Sequence, residues 1–205
     1  MIAVIDYGRA NLGSVEKSFR RVGVPATVTQ DPRVIDEADA VVLPGDGAFQ
    51  DTMTNLAELG LLEPVRRALD GRRPFLGICI GYQLLFSRSE EFGESAGLDV
   101  IPGVVRRFPL DLDVPHMGWN RVWHGGALRL FEGIEDGARF YFVHSYFPVA
   151  AESAALSLAW CDYGVRFAAA VETGRVYATQ FHPEKSARAG IRLLENFAAI
   201  VKESR

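Results

Sequence analysis

The sequence predicts an α/β fold, one domain over residues 1–205, with a central, mostly parallel sheet, helices on both faces and an antiparallel or mixed extension. Three observations lead there. Apolar strand-like runs alternate with helix-period segments through the first half, the pattern of a parallel sheet whose crossovers cover both faces. From about residue 104 to 171 the pattern changes to short strands and turn signals, with no helix between them. A chain of 205 residues with 48% hydrophobic composition is the size and make-up of one ordinary core.

Taken in order, residues 2–6 (Ile-Ala-Val-Ile-Asp) form a buried-type first strand. Residues 11–22 place Leu12, Val15, Phe19 and Val22 on one helical face. Short strands follow at 26–29 and 40–43, the second running into Pro44-Gly45-Asp46-Gly47. Residues 48–59 and 61–69 read as helices that stop at Gly60 and Gly71. Residues 75–78 are a strand and 80–88 a helix. Strands at 121–123, 140–143, 156–160 and 167–171 sit among turns such as Gly125-Gly126. The pair 167–171 and 175–179, joined by Glu172-Thr173-Gly174, reads as a hairpin. Residues 186–203 close the chain as a helix, with Ser186 as candidate N-cap and Ile191, Leu194, Phe197, Ala198 and Val201 as its apolar stripe.

Composition removes several classes of function. The formal net charge of −4, with no basic block, argues against a nucleic-acid partner. No apolar run approaches the roughly 20 residues of a membrane span. The first residues carry no basic stretch ahead of their apolar run, so they read as a strand and not as a signal peptide. Cys79 and Cys161 are the only cysteines, which excludes a disulfide framework and points to a reducing cytoplasm. Of the 22 basic side chains only Lys17, Lys185 and Lys202 are lysines, and Lys185 directly follows the chain's one His-x-Glu. No His/Cys cluster has metal-ligand spacing, and no cofactor is expected.

The chemistry begins at Cys79, in Gly77-Ile78-Cys79-Ile80-Gly81 between a strand and a helix. That is the pattern of a nucleophile elbow with sulfur in place of the serine oxygen. The flanking glycines let the backbone turn sharply, and the N-terminus of the next helix favours a thiolate. A thiol needs a base. His182 stands where a strand ends and Pro183 blocks its continuation, at the sheet edge where α/β folds place ligands. Glu184, two residues on, can hold one ring nitrogen and leave the other for sulfur, an arrangement of nucleophile, base and orienting acid. The alternative is a surface turn with an exposed charge.

Pro44-Gly45-Asp46-Gly47, between a strand and a helix, has the backbone freedom to aim an N–H of Asp46 or Gly47 at a developing oxyanion. The N–H of Ile80 would be the second donor. The alternatives for this loop are a plain strand–helix turn or a phosphate-binding nest. His116 and His144, without an acid beside them, read as structural or pocket-lining. His124 reads as a solvent-facing turn and Cys161 as an inert small residue.

These residues carry a resemblance. Gly77-Ile-Cys79-Ile-Gly81-Tyr-Gln83 together with His182-Pro-Glu184 resembles the class I, triad-type glutamine amidotransferases. Three more pieces, Asp6-Tyr-Gly-Arg-Ala-Asn-Leu12, Pro115-His-Met-Gly-Trp-Asn120 and Tyr141-Phe-Val-His-Ser-Tyr146, narrow it to the glutaminase subunits of imidazole glycerol phosphate synthase. The resemblance implies a flavodoxin-like amidotransferase fold and hydrolysis of glutamine to glutamate and ammonia through a Cys79 thioester, in histidine biosynthesis. His182 would be base and then acid, and Glu184 would orient it. Pro44, Gln83, His144, Ser145 and Tyr146 match positions around the glutamine. Asn11, Trp119, Tyr141 and Lys185 match positions facing a separate (β/α)8 synthase subunit, the expected heterodimer partner and acceptor of the ammonia. Without the resemblance, Trp119 and Tyr141 would read as core aromatics.

Asp46 departs from the family, which usually carries an apolar residue there. Its side chain is expected to point outward while its peptide group supplies the donor. Ile80, Tyr82 and Ala10 are further departures, and Ala10 leaves the geometry of its loop open. Two other readings remain: the glutaminase of another pathway (anthranilate, guanylate or pyridoxal phosphate synthesis), and a triad protein that only binds.

Overall fold

The computed structural model describes residues 1–9 and 11–204. The elements run β1 (Ile2–Ile5), α1 (Leu12–Arg21), β2 (Ala26–Thr29), α2 (Pro32–Glu37), β3 (Ala40–Leu43), α3 (Phe49–Glu58), α4 (Leu62–Ala68), β4 (Phe75–Ile78) and α5 (Ile80–Gln83). They continue with β5 (Phe86–Ser89), β6 (Ser95–Ala96), β7 (Ile101–Arg107), β8 (His116–Arg121), β9 (Arg139–His144), β10 (Tyr146–Ala150), β11 (Ser157–Tyr163), β12 (Val165–Thr173), β13 (Val176–Thr179) and α6 (Ala187–Glu203). Single 3-10 turns occupy Arg129–Phe131 and Pro183–Lys185.

The main sheet has strand order β11-β12-β13-β4-β3-β1-β2. Its five strands β2, β1, β3, β4 and β13 are parallel, the 2-1-3-4-5 order of flavodoxin-like sheets. Antiparallel β12 and β11 extend it. The central strands β1, β3, β4 and β13 are buried at every residue, which is why they read as continuous apolar runs. Alternation then sorts the side chains. Ile2 and Val4 pack with Val15 and Phe19 of α1 and Leu194 and Phe197 of α6. Ala3 and Ile5 face the opposite way, toward Ile35, Phe49, Leu56 and Val65 of α2, α3 and α4.

The extension is a four-stranded sheet, β10-β7-β5-β6, and a two-stranded one, β8-β9. β9 ends at His144 and β10 begins at Tyr146, so Ser145 alone joins the two sheets. That tight passage brings three consecutive residues over the C-terminal edge of the parallel strands. No helix among the described residues is long and apolar enough to cross a membrane.

Four local expectations are corrected. The helix expected over 80–88 stops after Gln83, and Phe86–Ser89 pairs instead with β7 and β6. Leu84-Leu85-Phe86 is wholly buried, and an unbroken apolar run has no period with which to separate helix from strand. The strand expected at 121–123 lies at His116–Arg121, and Trp123 only bridges to Trp160. Ser186 precedes α6 but does not cap it with its side chain; its hydroxyl donates to the His182 carbonyl at 2.6 Å. His124 is buried rather than solvent-facing, stacked on Phe131 with ring centroids 4.8 Å apart. α2 is six residues long and too short to show a period; Asp31 starts it by accepting the Arg33 N–H at 2.9 Å. Ala10 lies outside the described residues.

Candidate active site

β4 delivers Cys79 to the edge of the sheet with φ 55° and ψ −106°, a conformation that costs a non-glycine residue roughly 1–3 kcal/mol. The strain is held by hydrogen bonds on both sides. The Cys79 N–H donates to the Thr179 carbonyl at 2.8 Å, and its carbonyl accepts from Tyr82 and Gln83 at 3.1 Å each. The two glycines are there for space. A Cβ on Gly77 would meet the Gly81 carbonyl oxygen at 2.7 Å, and one on Gly81 would meet the Leu43 carbonyl oxygen at 1.9 Å. Because α5 is a single turn, a long helix dipole behind the sulfur is not available, contrary to expectation.

β13, beside β4, delivers the base. The His182 ring is 3% exposed, and its Nδ1 donates to the Glu184 carboxylate at 2.8 Å. Its Nε2 is buried and makes no hydrogen bond. The His182 backbone is pinned as well: its N–H donates to the Tyr141 carbonyl at 3.0 Å, and Ser186 bridges its carbonyl to the Tyr141 N–H. Burial disfavours a charged ring, but Cys79 and Glu184 outweigh it and raise the imidazole pKa to about 10. The ring is thus set to hold a proton beside the Cys79 sulfur.

Cys79 opens into a cleft of about 290 Å³. Asp46, Gly47, Ile80, Gln83 and the turn His144-Ser145-Tyr146 line it. Pro44, also expected there, is buried behind the loop and does not form its wall. Asp46 does not point simply outward. Its carboxylate is half exposed, yet Oδ1 lies 3.8 Å from His182 Nε2. Its backbone lies near the Tyr7 hydroxyl, with which it makes no hydrogen bond. Tyr7 is fully buried with an unpartnered hydroxyl, and Gly45 packs so closely that a Cβ there would lie 2.1 Å from that oxygen.

Sequence reasoning missed three groups at this site. Glu91 lines the cleft and accepts the Phe49 N–H at 2.7 Å; burial pushes its carboxyl pKa up. Nothing in Glu90-Glu91 separates it from a solvated charge. Gln180 is completely buried with its Nε2 3.7 Å from the Cys79 sulfur. Tyr7 was visible only as part of the Asp6–Leu12 run.

The Pro115–Asn120 segment becomes intelligible as a strand. Alternation turns His116 and Asn120 inward and leaves Met117 and Trp119 exposed. Trp119 sits opposite Tyr141 in the β8-β9 register, ring centroids 6.1 Å apart, and is 49% exposed. Trp119 is therefore not a core aromatic. Lys185 lies in the 3-10 turn after His182, and both α1, which Asn11 precedes, and β9, which carries Tyr141, pack on that turn. The four residues expected to face a partner thus gather around one rim.

His116 and His144 are both held neutral. Burial lowers His116 to about 4, and burial lowers His144 to about 3 despite a hydrogen bond to the Tyr146 carbonyl. The unfolded chain takes up protons near pH 6.5 that the native chain refuses. Stability from these two rings is therefore full above about pH 6.5 and falls as pH drops toward 4, by roughly 1.4 kcal/mol per unit and ring. His182 works at the other end, its contribution being lost only as pH rises from about 6.5 through about 10. Urea midpoints at pH 7 and pH 5 should differ accordingly, and replacing His116 by Gln should flatten the difference; equal midpoints in the parent chain would contradict it.

A buried imidazole–carboxylate pair beside a cysteine on a strained elbow, over this sheet, defines a class of protein. The chain belongs to the class-I glutamine amidotransferase family, whose model matches residues 3–201. It is 52% identical over 204 residues to the imidazole glycerol phosphate synthase subunit HisH of Syntrophotalea carbinolica, covering 96% of this chain and 98% of that one. Identity to the HisH subunit of Moorella thermoacetica is 48%, over 99% of this chain and 96% of the relative. Among solved structures, a glutamine amidotransferase matches with TM-score 0.75 at 18% identity, over 98% of this chain and 100% of that one. Another, from Thermotoga maritima, matches with TM-score 0.65 at 19% identity, over 98% of this chain and 84% of that one.

Proposed function

We propose that this chain, as one amidotransferase domain over residues 1–205, is the glutamine-hydrolysing subunit of an imidazole glycerol phosphate synthase. The observation that carries the chemistry is the His182 ring, fixed through Nδ1 by Glu184, with a buried Nε2 that makes no hydrogen bond and a charge coupled to Cys79. Cys79 attacks the carboxamide carbon of glutamine. The negative charge that develops on oxygen is met by the Ile80 N–H and by a donor from the Asp46–Gly47 loop. His182 gives its proton to the departing nitrogen, ammonia leaves, and a glutamyl thioester remains. Water, deprotonated by His182, then attacks the thioester; the C–S bond breaks, glutamate is released, and the proton held by His182 returns to the sulfur. Gln83, His144, Ser145 and Tyr146 shape the cleft, and the Glu91 carboxylate faces the substrate's ammonium group.

The HisH names of the relatives describe one subunit of a synthase, and this chain takes the same role. Its partner is a (β/α)8 subunit that receives the ammonia and makes imidazole glycerol phosphate and aminoimidazole carboxamide ribotide. Asn11, Trp119, Tyr141 and Lys185 meet it, and the heterodimer works in the cytoplasm. The Asp46–Gly47 loop lines the cleft with Gly47 at φ 110°, and that backbone freedom supports a resting state with one oxyanion donor withheld. One such donor is worth about 3 kcal/mol of barrier, on the order of a hundredfold in rate.

Ammonia release from glutamine should therefore be slow for the isolated chain. It should rise about a hundredfold with the synthase subunit and its ribulosyl ligand bound. Full activity without the partner would refute the gating, and no activation by this partner would refute the pathway.

A further inference from the structure

One chain of hydrogen bonds runs from the exposed β8 strand to the nucleophile, and it admits only one direction. The Tyr146 carbonyl can only accept, so His144 Nδ1, 2.8 Å away, must carry the hydrogen. A neutral His144 then accepts at Nε2 from His116 Nδ1 at 3.0 Å, and His116 accepts at Nε2 from the Asn120 amide at 3.2 Å. On the other side, Gln83 Nε2 spends both hydrogens, on the Tyr146 carbonyl at 2.9 Å and on Gln180 Oε1 at 3.1 Å. Gln180 is therefore fixed with its oxygen toward Gln83 and its NH₂ toward Cys79, whose sulfur lies 3.7 Å from Nε2. Both Gln180 and Gln83 are buried.

We propose that Gln180 is a catalytic residue: its side-chain N–H donates a hydrogen bond to the Cys79 sulfur and stabilises the thiolate. Gln83, His144, His116 and Asn120 are positioning residues that hold the amide in that orientation. The inference rests on Cys79 being the nucleophile of the proposed glutaminase reaction. Its physical basis is the asymmetry around sulfur. The Val143 carbonyl, 4.0 Å away, accepts from the S–H and favours the thiol, whereas an amide donor favours the anion. The other ionisable groups around the sulfur are His182, backed by Glu184, and Tyr7, with Asp46 reaching the far side of the imidazole and Glu91 and His144 lining the same cleft.

The test is the pH profile of Cys79 alkylation by iodoacetamide, in the full chain carrying Cys161→Ala so that one thiol reacts. Gln180→Met keeps the length and removes the donor. Its alkylation midpoint should rise by about one pH unit, with an approximately tenfold slower reaction at pH 7. Its glutamine kcat should fall by more than KM changes, because Gln180 is not in the cleft wall and reaches it only through Gln83. A folded variant with the parent's profile would overturn the proposal. Should Gln180→Met not fold, the Gln180 side-chain ¹⁵N–¹H signals of the Cys161→Ala chain decide. They should shift with the alkylation midpoint, and signals that stay fixed while the thiol titrates would overturn the proposal. Alkylation needs no turnover, so this reading is independent of the reaction. If Cys79→Ala still released ammonia, the glutaminase assignment would fail by itself.

Discussion

Replacing Cys79 with alanine removes glutamine hydrolysis, by at least roughly four orders of magnitude, in the isolated chain and in the partner complex alike. Among the described residues the second thiol, Cys161, is buried, and burial pushes its pKa up to about 12. The variant should fold, because alanine fills most of the same space and the sulfur's contacts with Val143, Gln180 and His182 are all that is lost. The substitution has a second readout. Cys79 is one of the groups that raise the His182 pKa against the cost of burial. Without the sulfur that ring should titrate lower, followed by its NMR shifts from pH 5 to 10. Persistent ammonia release would sink the site; an unmoved His182 titration would show that thiol and ring are not coupled. Cys79→Gly should also be inactive but gain stability over Cys79→Ala, because glycine adopts φ 55° without strain.

Gly81→Ala should do comparable damage by a different route. Its Cβ would sit 1.9 Å from the Leu43 carbonyl oxygen and 2.9 Å from the Leu43 carbonyl carbon. Both are backbone atoms of the neighbouring strand, so no rotamer change relieves the overlap. β3 and α5 must separate. That moves Cys79 and the Pro44–Gly47 loop relative to one another, since each sits directly beside the clash. Overpacking of this kind costs about 1–3 kcal/mol, and more where backbone is involved. A urea midpoint well below the parent's, together with lost glutaminase activity, is the expected result. Gly13→Ala is the contrast. Gly13 lies in α1 with open space at its Cβ position. That exchange should stabilise the chain by up to about 1 kcal/mol. Equal behaviour of the two variants would show that the close approach at Gly81 is not what keeps the elbow in place.

The parts of the fold readable from sequence are those set by short-range pattern. β2, β3 and β4 fall where the runs 26–29, 40–43 and 75–78 place them, because each is apolar or β-branched and bounded by turn residues. The extension was less readable. β7 and β10 were not separable from loop, and β8 carries Gly118 and Asn120, poor strand formers that pairing with β9 overrides. At the site, Cys79 and His182 announce themselves by residue type and by the glycines and proline around them. Glu91, Gln180 and Tyr7 do not, since an acid, an amide and a phenol in those settings are ordinary.

Residue order alone determined the α/β class, the sharp turn at Gly77–Gly81 and the imidazole–carboxylate neighbours His182 and Glu184, because each depends on contacts within a few residues. Tertiary structure decided what those groups face: the Asp46 carboxylate 3.8 Å from the His182 ring, and the amide of Gln180 against a sulfur 101 residues away. Such directions follow from strand register and from which buried donors and acceptors are left to pair, and neither is written in any local stretch of chain.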